Sequence, residues 1–219
     1  MHRIVIVVEG CLDAALASHL ARATRTDAEV VVARGKHGVA RLAASLASAS
    51  PTPVLGLIDA DEDAEASLRE AAEAANIADY TLRVRRCGPA AIRYLEATGF
   101  TLVAWCDAWS GCRRGTVEDI VVHALREAYD CAVSLGVEGC RGCPSRRRFE
   151  RLASKLLAPL LAAACSGRGT LVATRYEKYC GVDLEEAFEE LGLAGKSRVL
   201  ACYASLIASS SRGTSSAPR

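Results

Sequence analysis

Two groups of carboxylates in this chain stand where an apolar run stops. The first is Glu9, with Gly10 and Asp13 behind it, and it follows Ile4-Val5-Ile6-Val7-Val8. The second is Asp59-Ala60-Asp61-Glu62-Asp63, and it follows Val54-Leu55-Gly56-Leu57-Ile58. A carboxylate at the end of such a run is costly unless it is paired or bound to a metal. Four acids in five residues, Asp59, Asp61, Glu62 and Asp63, repel one another without a counter-ion. In an extended segment Asp59 and Asp61 project to the same side. Both can then reach one hard cation through oxygen. The chemistry expected of the two corners is a divalent-metal site.

The remaining candidates divide into chemical and structural readings. Gly10 lets the backbone turn sharply after the first run, so that Glu9 can face a crevice. Asp13 falls in the first turn of the next helix, where complementing the helix dipole is an alternative to binding metal. Asp63 is expected to cap the helix that follows it. Gly115-Thr116-Val117-Glu118-Asp119 forms a third acidic corner. Its Thr116 and Asp119 have capping-box spacing, and Glu118 lies off the Val117/Ile120/Val121 stripe and is left free. The run before this corner also ends in an acid, Asp107. Lys36 with His37 in the Gly35–Gly38 turn, and Arg113 with Arg114 beside Glu118, are candidates to hold a phosphate backbone. The Arg146–Arg151 cluster reads as a solvated helix face. His19 reads as packed, and His123, one turn past Asp119, as a neighbour of that carboxylate. No serine or histidine has the setting of a nucleophilic triad. No aromatic residues interleave with the basic clusters, so no stacking platform for single strands is expected.

Composition restricts the classes. The chain has 219 residues, 51% hydrophobic and only 5% aromatic, with a net charge of +1. A large core built from Ala, Val and Leu is expected, with no global pull towards nucleic acid or membrane. Lysine occurs four times, so 23 of the 27 basic residues are arginine. No window carries the ~18 apolar residues of a membrane helix, and the N-terminus lacks a signal-peptide pattern. A cytoplasmic location is expected. The ten cysteines read as small core residues or, in a hyperthermophile, as disulfides. Cys140-Arg141-Gly142-Cys143 is a lone CxxC that reads as a disulfide before a metal site, for which Cys131 and Cys165 are candidate partners that no spacing selects.

The elements that must position these residues alternate. Strands are expected at Ile4–Val8, Glu29–Ala33, Val54–Ile58 and Phe100–Cys106, with an edge strand at Tyr80–Arg85. Helices are expected at Leu12–Ala23, Val39–Ala49, Ala64–Ala75 and Pro89–Ala97. This order predicts an α/β fold with a mostly parallel sheet and right-handed crossovers. From Thr116 to about Leu135, and at Ser145–Cys165, Leu184–Leu191 and Ser197–Ala208, the chain reads as helical. The expected organisation is an α/β domain over 1–135, a helical extension packed on it over 136–208, and a disordered tail over 209–219.

Val8-Glu9-Gly10-x-x-Asp13, followed two strand–helix steps later by Asp59-x-Asp61, resembles the Toprim domain. Asp107 with Gly115-x-x-Glu118-Asp119 is similar to a further motif of small stand-alone Toprim-like proteins related to OLD-family nucleases. The resemblance covers about residues 3–125. It departs at Cys106, where that family usually has proline before its late aspartate. The modules that accompany the domain in primases and topoisomerases are not seen, which argues against those activities. The resemblance implies a Rossmann-like sheet and a nuclease that processes phosphodiesters of DNA or RNA with Mg²⁺ or Mn²⁺. It implies metal ligands at Asp59, Asp61, Glu118 and Asp13, and Glu9 as a ligand or general acid/base. Lys36, Arg113 and Arg114 would contact the nucleic acid. Two ions roughly 4 Å apart would stabilise attacking and leaving oxygens. The alternative is a non-catalytic, metal-assisted module that binds nucleotide or nucleic acid. A receiver-like phosphotransfer domain is disfavoured, because no lysine lies between Lys36 and Lys155. No membrane partner is expected, and a homodimer is compatible with the sequence.

Overall fold

In the computed structural model, residues 3–88, 90–106, 111–129, 188–189 and 192–211 are described. Six strands form one mixed sheet: β1 (Arg3–Val8), β2 (Asp27–Val32), β3 (Val54–Asp59), β4 (Tyr80–Cys87), β5 (Ala90–Ala97) and β6 (Phe100–Trp105), in the order β2-β1-β3-β6-β5-β4. The helices are α1 (Cys11–Ala23), α2 (Lys36–Ala49), α3 (Ala64–Ala74), α4 (Val117–Tyr129), α5 (Leu193–Lys196) and α6 (Arg198–Ser210).

The parallel part is β2-β1-β3-β6. In β1, β3 and β6 the branched apolar runs are largely buried, as strands covered on both faces must be, whereas the valines of the edge strand β2 are half-buried or exposed. Ile4, Ile6, Val7 and Val8 of β1 and Val54, Leu55, Leu57 and Ile58 of β3 lie in one core with Leu12, Leu16 and Leu20 of α1. Gly56 leaves room for Leu102 of the paired strand β6 and for Val39 of α2. A Cβ there would stand 2.5 Å from Leu102 Cδ2 and 3.0 Å from Val39 Cγ1. β2 begins and ends earlier than the expected Glu29–Ala33, and α2 begins at Lys36 rather than Val39. Lys36 and His37 therefore occupy the first turn of a helix and not a free loop.

The sheet is parallel only in part. Pro89–Ala97 was expected to be a short helix, but Ala90–Ala97 is strand β5, antiparallel to β4 and β6. The alanines favour helix locally. However, Gly88 (φ 64°) and Gly99 (φ 84°) make turns on both sides of the segment, and pairing on both edges outweighs the propensity. Tyr80–Cys87 is the outer strand, at the edge where Tyr80–Arg85 was expected.

Helix α6 covers the far side of this hairpin. Tyr203 stacks on Trp105, with ring centroids 4.7 Å apart. Its hydroxyl donates to Ala104 O (2.9 Å) and accepts from Cys106 N (3.2 Å). Disulfides join Cys87 to Cys202 and Cys106 to Cys112, which corrects the small-core-residue reading for these four cysteines. His19 is packed as expected, its Nε2 accepting from Ala194 N at 3.1 Å. Among the described residues no helix is long and apolar enough to cross a membrane. Asp107, Cys131, Cys140, Cys143, Cys165, the Arg146–Arg151 cluster, the Ser145–Cys165 helix and residues 212–219 of the tail lie outside the described residues. So does most of the expected extension over 136–208.

Candidate functional site

The site is built at the C-terminal ends of β1, β3 and β6. Register brings these ends together. Val8 pairs with Leu57, and Asp59 pairs with Trp105. Glu9, the first residue after β1, turns towards β3, and its Oε1 accepts the Asp59 amide at 2.8 Å. Asp59 in turn accepts the amide of Val117 through Oδ1 at 2.9 Å. Val117 opens α4, so this bond fixes the start of that helix over the end of β3.

A short strap makes the third contact. Residues 111–116 lie against the loop after β3 through an isolated bridge between Asp61 and Gly115. Gly115 N donates to Asp61 O (2.8 Å), and Ala64 N donates to Arg113 O (2.6 Å). The Cys106–Cys112 disulfide closes the connection between β6 and the strap. The backbone at Asp61 (φ 50°) and Cys112 (φ 58°) is left-handed, a conformation disfavoured for residues other than glycine. The strap therefore depends on its cross-links rather than on local preference.

This packing brings Glu9, Asp13, Asp59 and Glu118 together. Asp13 and Glu118 are each only 5% exposed. Gly10 makes room for Asp13, since a Cβ there would stand 3.3 Å from Asp13 Oδ2. Asp13 Oδ1 and Trp105 Nε1 are both buried, and neither completes a hydrogen bond. Proximity of the Trp105 indole still favours the charged form of Asp13. That influence is weaker than burial, which pushes the Asp13 carboxyl up to about 8, with Glu9 and Glu118 adding like-charge repulsion. Burial likewise pushes Asp59 up to about 9, helped by Asp13, Glu9 and Glu118. Glu9 and Glu118 are also raised, in both cases chiefly by burial. Among the described residues no lysine or arginine is buried with these acids.

Several expectations change. Glu118 is not free on the helix surface but buried near Asp13 and Asp59, at the helix start that the Val117–Asp59 hydrogen bond ties to β3. Asp13 lies in the first turn of α1, as expected, and is buried there. Asp61 does not share a side with Asp59. Its left-handed backbone ends the extended segment, and its carboxylate is exposed and bound by Lys36 Nζ at 3.2 Å. Lys36 also binds Glu70 at 2.6 Å, and His37 binds the same carboxylate at 2.7 Å. Lys36 lies near enough to Glu9 to oppose its rise. Asp63 caps α3 as expected, accepting from Glu65 N and Ala66 N. Asp119 likewise accepts from Thr116 N at 3.1 Å. Arg113 and Arg114 are exposed on the strap. Nothing in the sequence signalled Trp105 as the floor beneath Asp13, although it ends the strand paired with Asp59.

The cluster has the donors a hard divalent cation takes, all of them carboxylate oxygens. Asp13 Oδ1 is an unsatisfied buried acceptor, of the kind a cation would satisfy. Even so, no group of three or more His, Cys, Asp or Glu among the described residues forms a ready-made cation cage. Glu9 and Asp59 each spend one oxygen on a backbone amide, so side chains would have to turn inward to close on an ion. Compared with family models, curated proteins and solved structures, the chain gives no match.

Proposed function

We propose that the protein is a Mg²⁺- or Mn²⁺-dependent phosphodiester-processing enzyme, a nuclease acting on DNA or RNA. The observation that carries this reading is the convergence of four carboxylates, Glu9, Asp13, Asp59 and Glu118, on the ends of three adjacent strands without a buried basic partner among the described residues. Structural acids are normally paired or solvated. Like charges gathered in a partly buried crevice fit a cation that is added later. Asp13, Asp59 and Glu118 would hold the metal. When bound, it would polarise a phosphoryl oxygen and lower the pKa of a coordinated water. Glu9, raised by burial and placed at the rim, suits a ligand or a general acid/base. Lys36, and the exposed Arg113 and Arg114 on the strap, would contact the substrate backbone. Asp61 belongs to this set only if Lys36 releases it.

A second reading is a metal-assisted binding module without cleavage. The Lys36–Asp61 ion pair favours it, because that pair keeps one expected ligand away from the cluster. Labelled DNA and RNA incubated with Mn²⁺, wild type beside Glu9→Gln, separate the two. Cleavage by wild type that falls about 10²–10⁴-fold in Glu9→Gln supports the enzyme. Cation-dependent binding without cleavage supports the module. Equal cleavage by both proteins sinks the assignment of Glu9.

A further inference from the structure

At the opposite end of the sheet, the first residues of β3 and β6, Val54 and Phe100, line a cleft of about 660 Å³. That volume suits a small molecule. Both strands have six residues, so at ~3.3 Å per residue the cleft lies roughly 17 Å from the carboxylate cluster. Its walls are apolar at Pro53, Phe100 and Leu206 and polar at Arg85, Glu96 and Ser209.

The charges of this cleft do not cancel. Glu96, the one acid of its lining among the described residues, is held by Arg83 Nε at 2.6 Å. Arg85, the one base among those residues, donates to Ser205 Oγ at 2.8 Å and Ser209 Oγ at 3.1 Å. Both partners are neutral. A guanidinium has five N–H donors, so these two bonds leave donors to spare. The position of Arg85 is also set in advance. Cys87, two residues along the same face of β4, is disulfide-bonded to Cys202, one turn before Ser205 on α6. A guanidinium fixed by hydroxyls keeps its full charge for a ligand, and its ordering cost is met before binding. Docking of α6 alone would need no charge there.

We propose that this cleft is a second ligand site. It takes a small molecule with a phosphate or carboxylate on an apolar, ring-sized body. Arg85 binds the anion, and Phe100, Pro53 and Leu206 bind the body. The site does not rest on the nuclease reading.

The test uses the full-length, ¹⁵N-labelled protein in EDTA, which removes cation-dependent binding at the carboxylates. Phenyl phosphate, benzoate and phenol are titrated separately by NMR. Amide shifts should be confined to the cleft, around Val54, Ala97, Thr101 and Ser209. At least one of the two anions should bind about tenfold more tightly than phenol, and about tenfold more weakly in Arg85→Gln. The tighter of phenyl phosphate and benzoate identifies the anion. Ser210→Trp, which fills the cleft and leaves Arg85 in place, should abolish binding. Should Arg85→Gln fail to fold, Ser210→Trp and the comparison with phenol decide. Equal affinity for phenol and both anions overturns the proposal, as does unchanged binding in Ser210→Trp. Shifts centred on Glu9 and Asp59 overturn it too.

Discussion

The carboxylates at the C-terminal edge of the sheet form an inner and an outer set. The inner set is Glu9, Asp13, Asp59 and Glu118. It is buried or half-buried, and burial raises every member above the ordinary carboxylate range. The outer set is Asp61, Asp63 and Glu70. It is exposed and already engaged, by Lys36, by helix amides, and by Lys36 with His37. Lys36 and His37 hold Glu70 below the ordinary range. Acids of one chemical type thus behave in opposite ways across a few ångströms. The local density of acids does not decide the difference. What decides it is burial, which is the largest influence on every inner acid, whereas the outer acids are exposed and held by Lys36, His37 or helix amides.

The largest effect that would break this comparison is a pH dependence. In the folded protein Asp13 titrates at about 8 and Asp59 at about 9, against 3.8 for an ordinary aspartate. Between these limits the native state holds protons that the unfolded chain has released. The contribution of these two groups to stability is therefore fully present at low pH and is lost as pH rises from about 4 through 9. At about 1.4 kcal/mol per group per pH unit the two set an upper bound of roughly 8 kcal/mol between pH 5 and pH 8, and urea melts in EDTA should show the protein less stable at pH 8 by a substantial part of it. Mn²⁺ should restore much of the loss at pH 8, because a bound cation replaces the protons. Stability that rises over this range would place the inner set in water rather than in a crevice.

The next effect contrasts one member of each set. Asp13→Asn removes a buried like charge and should stabilise the metal-free protein at pH 8 by about 2 kcal/mol, roughly 4–8 °C in Tm. The same change should remove most of the Mn²⁺-induced shift. Asp61→Asn loses only an exposed ion pair and should move Tm by less than about 2 °C. Similar shifts in both variants, read by calorimetry with and without Mn²⁺, would erase the distinction between the sets.

The sequence makes part of this arrangement legible. Ile4–Val8 and Val54–Ile58 are local runs whose burial follows from composition, and the acids at their ends need no long-range information. The caps at Asp63 and Asp119 are equally local. What could not be read depends on contacts between distant residues. Glu118 looks free on a helical wheel, because the wheel does not contain the bond from Val117 to Asp59 that docks the start of α4 on β3. Asp59 and Asp61 look equivalent in an extended segment, but the bridge from Asp61 to Gly115 turns the second one outward. β5 looks helical because its alanines favour helix. Its strand state comes from partners on both edges. The Cys106–Cys112 disulfide joins residues with no motif between them, and it is what ties the strap to β6.

The smallest effect concerns Lys36, where the two sets meet. Its ammonium binds Asp61 and Glu70 and also opposes the rise of Glu9. As a surface ion-pair member it should add little stability, and Lys36→Met should cost less than about 1 kcal/mol. Its effect on the site should be larger than its effect on the fold. Without the ammonium, Asp61 is released from its ion pair and Glu9 loses a nearby positive charge. Apparent Mn²⁺ affinity should then rise, by about threefold, while nucleic-acid affinity at a fixed Mn²⁺ concentration falls. Calorimetry for the ion and a filter-binding assay for nucleic acid measure the two separately. If both affinities fall together, Lys36 supports the inner set rather than guarding its edge, and the boundary between the sets lies outside Asp61.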